Sequence, residues 1–315
     1  MMDVSVIIVN WNTCKLLEDC LLSLQASTGD FSMEIIVVDN NSSDDSVKML
    51  ETKFHEVKLI VNQQNLGFAA ANNKGIRKSK GRYVLLLNSD TVVFEDTLAK
   101  TIEYGDANPD AAAIGCRVML NNKQPQMTCF NFPDLLSVFF GASGLERMFR
   151  KNRIFGRERM WWWNRDTFRQ VDVISGMYML VRRQAIAEIG LMDEDYFFYY
   201  EETDWCYRFA KNGWKLLFTP ETSIIHVGGG GQSSAKAAVK MFVQQQKSCL
   251  IFFKKHKGPF KTLIARILLT TGFAGRLIVW SIMDTCNRIR SRETQILNRL
   301  KAKAAVIYLL FGIEP

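Results

Sequence analysis

The turn Asn88-Ser89-Asp90 closes an apolar run, Leu85-Leu86-Leu87, with one carboxylate at its end. One hard oxygen donor there, joined by diphosphate oxygens and water, suits Mg2+ or Mn2+. The competing role is a plain strand cap. A second acidic centre follows at 193–204, where six carboxylates surround the run Tyr196-Phe197-Phe198-Tyr199-Tyr200. Glu201, Glu202 and Asp204 fall in the first turn of an expected helix, where the macrodipole favours negative charge. A carboxylate beside aromatic rings also suits general-base work on a hydroxyl, with its pKa raised by desolvation. His226 ends a short strand beside the glycine run 228–231, a loop able to fold over a phosphate. It is either a metal ligand or a structural histidine.

Two further clusters stand where strands run into helices. In Val38-Asp39-Asn40-Asn41-Ser42-Ser43-Asp44, the Asp39 carboxylate can accept hydrogen bonds from a nucleobase N–H or a ribose hydroxyl, or it can help cap the next helix. In Asn65-Leu66-Gly67-Phe68, Gly67 permits close backbone approach and the helix start favours an anion. An ordinary tight connection would look the same.

The positioning elements follow from apolar patterning. Strands are expected at Val4–Val9, Glu34–Val38, Val57–Val61, Arg82–Leu87, Ala111–Leu120, Val171–Val181, Trp214–Phe218 and Ser223–Val227. Helices are expected from Thr13 (as N-cap) to about Ala26, through about Thr52, from Phe68 to about Ser79, and at Thr97–Ala107, Arg183–Ile189 and Glu201–Asn212. Residues 121–170 show no regular period. Strands alternating with helices imply an α/β, doubly wound, mostly parallel sheet flanked by helices. Such sheets place their chemistry at the strand ends. One long helix, Ala235–His256, is stopped by Gly258-Pro259, and further basic amphipathic helices fill 260–315.

The 315 residues, 48% hydrophobic and 23% charged, can bury a substantial core and exclude a disordered chain. The net charge of +8 is uneven: residues 232–315 hold 15 Lys/Arg against 3 Asp/Glu, a net of +12, leaving −4 for residues 1–231. The tail is therefore expected to meet something anionic. Within Leu263–Met283 the longest uncharged run is nine residues, short of the ~20 that span a bilayer. Amphipathic helices lying on an anionic membrane surface fit better, against packing as a solvated basic face. Residues 147–169 mix eight Lys/Arg with three tryptophans, able to bind pyrophosphate and sugars or simply to anchor a loop. No RNA-binding pattern accompanies them, so no nucleic-acid partner is expected. Seven scattered cysteines without a CxxC pair read as reduced thiols, and no secretory signal is expected from the first residues. The first strand lacks a following GxGxxG, which argues against a nucleotide-dependent oxidoreductase.

Taken in order, VSVIIVNWN (4–12), VVDNNSSD (37–44), NLGFAAANN (65–73), LLLNSDT (85–91), GMYMLVRR (176–183) and FFYYEETDWCYR (197–208) resemble glycosyltransferase family 2 of the GT-A fold, in its rhamnosyltransferase-like group. The resemblance spans roughly residues 3–230 and implies a catalytic domain over 1–257 with a basic helical extension over 258–315. It implies that Asp39 contacts the nucleobase with Asn10, Asn12 and Asn65 nearby, and that Gly67, Asn88 and Asp90 border the donor diphosphate. Asp90 and His226 would hold Mg2+ or Mn2+. Glu202 would be the catalytic base, with Glu201 or Asp204 as alternatives, because the family often has Asp at that place. Many members also have Asp where this chain has Asn88. The implied reaction is inverting transfer of a sugar, rhamnose from dTDP-rhamnose before a UDP-hexose, to a lipid-linked or polysaccharide acceptor in surface glycan assembly. The implied place is cytoplasmic, peripheral at the inner face of the membrane. A non-catalytic, membrane-docked binding protein on the same fold is the alternative.

Overall fold

The computed structural model describes residues 2–228, 235–289 and 296–315. In chain order come β1 (Val4–Asn10), α1 (Cys14–Gln25), β2 (Met33–Asp39), α2 (Ser46–Lys53), β3 (Lys58–Val61), α3 (Phe68–Lys78) and β4 (Tyr83–Asn88). Next are β5 (Thr91–Val93), α4 (Thr97–Ala107), β6 (Ala111–Leu120), β7 (Cys129–Phe130), α5 (Leu135–Ser143), α6 (Leu145–Met148), β8 (Arg169–Gln170), β9 (Val173–Ile174) and β10 (Tyr178–Arg182). The chain continues through α7 (Arg183–Ile189), α8 (Glu201–Lys211), β11 (Lys215–His226), α9 (Ala235–His256), α10 (Pro259–Ile289) and α11 (Ile296–Phe311).

Residues 1–132, 163–197 and 201–231 form one compact unit; residues 133–162, 198–200 and 232–315 form another. The first holds the sheet, in the order β3-β2-β1-β4-β10-β6-β11-β5, with β8 beside β11. Strands β3, β2, β1 and β4 run parallel, as do β6 and β11, while β10 is antiparallel to both β4 and β6. Alternation along β1 explains the layering. Val4, Val6 and Ile8 join the core with Leu17, Leu21 and Leu24 of α1 and Leu98 of α4. Ile7 faces the other way, so close to α3 that a Cβ at Gly75 would lie 2.6 Å from it. Helices thus cover both faces, as parallel strands buried on two sides require.

Three expectations need correction. The run Val171–Val181 is not one strand: it breaks between β9 and β10, and Gly176 packs where a Cβ would meet the Phe68 ring at 2.9 Å. Conversely, the two strands expected around Pro220 are one, β11, carrying a register shift between Thr219 and Ser223 against β6. A proline cannot donate to the ladder, and the strand absorbs it as an irregularity. Thr13 precedes α1 without capping it by its side chain. The Asp44 carboxylate does that work, accepting from Cys14 N at 2.9 Å and from Ser46 N at 3.1 Å, so one acid serves the starts of α1 and α2.

In the second unit, α5 and α9–α11 pack together around Phe242, Phe252, Phe253, Leu269 and Phe273. Pro259–Asp284 of α10 is 26 residues long and contains an 18-residue stretch of mean hydropathy 1.5, 22% of it buried, so by length and composition alone it is apolar enough to cross a membrane. The charges at Arg266 and Arg276 interrupt this stretch, whose length and composition fit either a helix lying on a membrane or one crossing it. The described cysteines 14, 20, 116, 129, 206 and 249 are free thiols.

Candidate active site

Four strand ends gather the first group of candidate residues. The C-terminal tips of parallel β1, β2 and β4 lie side by side, with Asn10 opposite Asp39 and Val9 opposite Asn88. The chain then turns at Ser89-Asp90 into β5, which pairs antiparallel with the end of β11, Thr91 facing His226. Val227 N donates to Asp90 O at 2.8 Å, fixing the turn to the β11 tip. His226 Nε2 therefore stands 3.1 Å from Asp90 Oδ1. The other ring nitrogen, Nδ1, lies 2.8 Å from Gln126 Oε1; with the proton on Nδ1 donating to that oxygen, the Nε2 lone pair is available to a cation held between it and Asp90. Gln126 is itself set by the hairpin after β6, where Gln126 N donates to Val118 O.

This donor set suits a divalent cation. One carboxylate and one imidazole with an oriented second nitrogen are the ligand types that Mn2+ accepts, and a hydrogen-bonded second ring nitrogen is the usual partner of such a ligand. Gly228 leaves the space they need: a Cβ there would fall 2.0 Å from Asp90 Oδ2. Among the described residues no cluster of three or more His, Cys, Asp or Glu forms. The glycine run expected to cover a phosphate lies, from residue 229, outside the described residues.

Asp39 is fully buried. Its carboxylate accepts from Asn10 Nδ2 (2.9 Å), Ser42 N (2.9 Å) and Ser42 Oγ (2.6 Å). Asn10 in turn accepts from Thr13 Oγ1 at 2.6 Å, and that hydroxyl lies 2.9 Å from Ser89 Oγ. A continuous polar chain thus joins the β2 tip, the β1 tip and the Asp90 turn. Asn12, in a left-handed conformation at φ 55°, accepts from Ser43 N at 2.7 Å and donates its own N–H to Ser42 Oγ. The exposed surface at this corner comes from Trp11, 55% exposed, rather than from Asp39.

Asn65 and Gly67 serve the same corner from the next loop. Asn65 Oδ1 accepts from Gly67 N at 2.9 Å, and Asn40 Nδ2 donates to Gly67 O at 3.1 Å. The close approach that Gly67 permits is to the chain itself. A Cβ there would lie 2.2 Å from Phe197 O, and Phe68 N donates to that same oxygen at 2.8 Å. The first N–H of α3 is therefore already paired, so an anion at this helix start would meet the N–H groups that follow it.

The second acidic centre behaves differently. Asp204 is buried and spent: Arg208 Nε donates to it at 2.7 Å, and the same guanidinium reaches Ile189 O and Leu191 O. Glu201 is 4% exposed, and its Oε2 has no hydrogen-bond partner. Burial, then the neighbouring Glu202 charge, hold its carboxyl well above the usual range. Glu202 is half-buried and is pushed up to about 7 by burial, against the pull of its own and the Thr203 backbone N–H. Of the three candidate bases, Glu202 is the least buried, and its carboxyl is raised from the ordinary range, a combination that suits general-base work. Its hydrogen bonds stay within the first turn of α8 and do not join the strand-tip chain. Tyr199 and Tyr200 precede it at φ 65° and 69°, uncommon backbone for non-glycine residues and a mark of constraint.

Residues 5–190 match the family model of Glycosyl transferase family 2. The chain is similar to the N-acetylglucosaminyl-diphospho-decaprenol L-rhamnosyltransferase of Mycobacterium tuberculosis, 24% identical over 273 residues that cover 80% of this chain and 85% of that one. It is also similar to the poly-beta-1,6-N-acetyl-D-glucosamine synthase of Staphylococcus epidermidis, 25% identical over 194 residues, 61% of this chain and 42% of that one. Among solved structures, the mannosyltransferase of Pyrobaculum calidifontis in complex with GDP-Man and Mn2+ superposes with a TM-score of 0.57 at 17% identity, covering 99% of this chain and 88% of that one. That likeness shows the fold, the GT-A arrangement anticipated from the sequence.

Proposed function

The chain belongs to glycosyl transferase family 2 and is a glycosyltransferase, and on that premise we propose that it moves rhamnose from dTDP-rhamnose to a lipid-linked acceptor, inverting the anomeric carbon with a divalent cation. The observation that carries the metal-dependent reading is the Asp90–His226 pair, aimed by Gln126 and given room by Gly228. Similarity to a rhamnosyltransferase over most of both chains supports the sugar and the lipid diphosphate.

Each part follows from the chemistry of the residues. A bound Mg2+ or Mn2+ supplies positive charge that steadies the departing diphosphate. Asp90 and His226 would hold it, and Gln126 keeps the imidazole in the ligating tautomer. The Asp39–Asn10–Thr13–Ser89 chain fixes the strand tips, so that the nucleoside end and the diphosphate end of the donor meet one rigid rim. In this reading Asp39 supports the base-binding corner by holding Ser42 and Asn10. Glu202 takes the proton from the acceptor hydroxyl as that oxygen attacks the anomeric carbon; the nucleoside diphosphate leaves from the opposite side. The basic second unit would rest peripherally on the anionic inner face of the membrane, where a lipid-linked acceptor resides.

A thermal-shift screen of dTDP-rhamnose, UDP-hexoses and GDP-mannose, each with and without Mn2+, tests the donor. The expected result is stabilisation by dTDP-rhamnose only with Mn2+. Equal stabilisation without metal refutes the cation's role, and preference for a UDP-hexose refutes the rhamnosyl assignment.

A further inference from the structure

A cavity of about 230 Å3 opens wholly within the second unit, walled by α5, α6, the 146–161 segment, α9 and α10. It is smaller than the ~300 Å3 at which pockets for drug-sized ligands begin, so it suits a compact headgroup rather than a nucleotide. Three guanidiniums line it: Arg147, Arg159 and Arg276. Arg159 is ion-paired to Glu146 at 3.3 Å, and that carboxylate also accepts from Trp161 Nε1 at 2.9 Å. Arg147 and Arg276 form no ion pair with a carboxylate among the described residues. Arg276 donates to Gly141 O at 3.3 Å and rests on the Trp280 ring at 4.3 Å from its centroid. Three guanidiniums thus converge on one cavity against two carboxylates, Glu146 and Glu158, with Arg147 exposed and Arg276 half-buried, and an anion seated there would gain charge-assisted hydrogen bonds.

Glu158 also lines the cavity, and burial raises its carboxyl pKa, which weakens its hold on the charge that would repel an anion. Burial first, then the Arg147 charge, lower the Arg276 guanidinium to about 10, with the Glu146 charge pulling the other way.

The helix that brings Arg276 inward also indicates the source of the anion. Leu269, Phe273 and Arg276 line the cavity at helical spacing. The opposite stripe of α10, through Leu263, Ile267, Ile278 and Ile282, is exposed. Residues 232–315 carry 15 Lys/Arg against 3 Asp/Glu, complementary to an anionic bilayer. A free phosphate has no use for that apolar stripe, whereas a phosphate carried on a lipid chain uses both faces.

We propose that this cavity binds the phosphate group of a membrane-borne lipid acceptor, with Arg147, Arg159 and Arg276 as its anion contacts. This assignment rests on the reading that the acceptor is lipid-linked. The test is flotation of the full chain with phosphatidylcholine vesicles doped with a polyprenyl diphosphate, against vesicles matched in charge with phosphatidylglycerol. Wild-type protein should prefer the polyprenyl diphosphate, and the double variant R147Q/R276Q should lose that preference by about tenfold or more, while nucleotide-sugar binding by calorimetry stays unchanged. R276K should restore part of it. No preference in the wild type, which needs no variant to fold, overturns the proposal in favour of general surface charge. Full competition by millimolar inorganic pyrophosphate overturns the lipid source and leaves a soluble-phosphate site. If the wild type glycosylates a lipid-diphosphate acceptor but R147Q/R276Q leaves the acceptor KM unchanged, the cavity is refuted and the lipid-acceptor reading stands. If the wild type glycosylates only soluble glycans, that reading fails, and the vesicle comparison still decides the cavity.

Discussion

The strand-tip corner and the start of α8 are both buried, polar and acidic, yet they are built on opposite principles. At the corner, Asp39 accepts three hydrogen bonds and hands the order on through Asn10, Thr13 and Ser89. At α8, Glu201 leaves an oxygen unpaired, and burial raises the carboxyl pKa of Glu202 beside it. A satisfied network gives rigidity, because every partner has one place to be. An unsatisfied pair stores electrostatic cost that proton uptake can release. The first arrangement suits holding a substrate and the second suits moving a proton.

The largest effect expected from this contrast is at Glu202. Glu202→Gln keeps the shape and removes the base, so transfer should fall by roughly 10²–10⁴-fold, while donor binding by calorimetry stays within error. A variant with near-normal turnover removes Glu202 from the reaction. The next effect tests the holding side. Gln126→Leu leaves Asp90 and His226 in place but frees the imidazole tautomer, and Mn2+ affinity should weaken by about 10–100-fold, read as the metal concentration for half-maximal donor binding. An unchanged requirement would show that the ring needs no such support. Smaller still, Asn10→Ala removes one donor to buried Asp39 and should cost about 1–3 kcal/mol. That loss appears as a lower Tm, with little change in the pH dependence of activity.

The same contrast explains what the sequence disclosed. Strand tips were legible because β1, β2 and β4 are unbroken β-branched or leucine runs ended by polar residues; Asp39 ends β2, Asp90 follows β4, and His226 ends β11. Gln126 was not legible: it lies in a segment without periodicity and acts through a hairpin after β6. Nor was the partner of Gly67, because a glycine announces that something comes close without naming the Phe197 carbonyl. The antiparallel insertion of β10 between β4 and β6 is a long-range pairing that local alternation does not encode. The three guanidiniums of the second-unit cavity sit on segments whose basic character was visible, but their convergence depends on how α5, α9 and α10 pack.

The smallest effect isolates the storing side through stability. Glu201 and Glu202 have folded-state pKa values raised above the ordinary 4.5. Between about 4.5 and about 7 the folded chain therefore binds more protons than the unfolded chain. By linkage, their contribution to stability is most favourable below 4.5 and is lost as pH rises through the folded values. Glu201→Gln removes the most buried of the two charges, so this variant should be more stable than wild type at pH 8 by about 1 kcal/mol and should lose that advantage at pH 4. The urea midpoint measured at both values reads the difference. If Glu201→Gln destabilises the chain equally at both pH values, the α8 carboxyls are structural, and the division between holding and proton-moving regions fails at its second half.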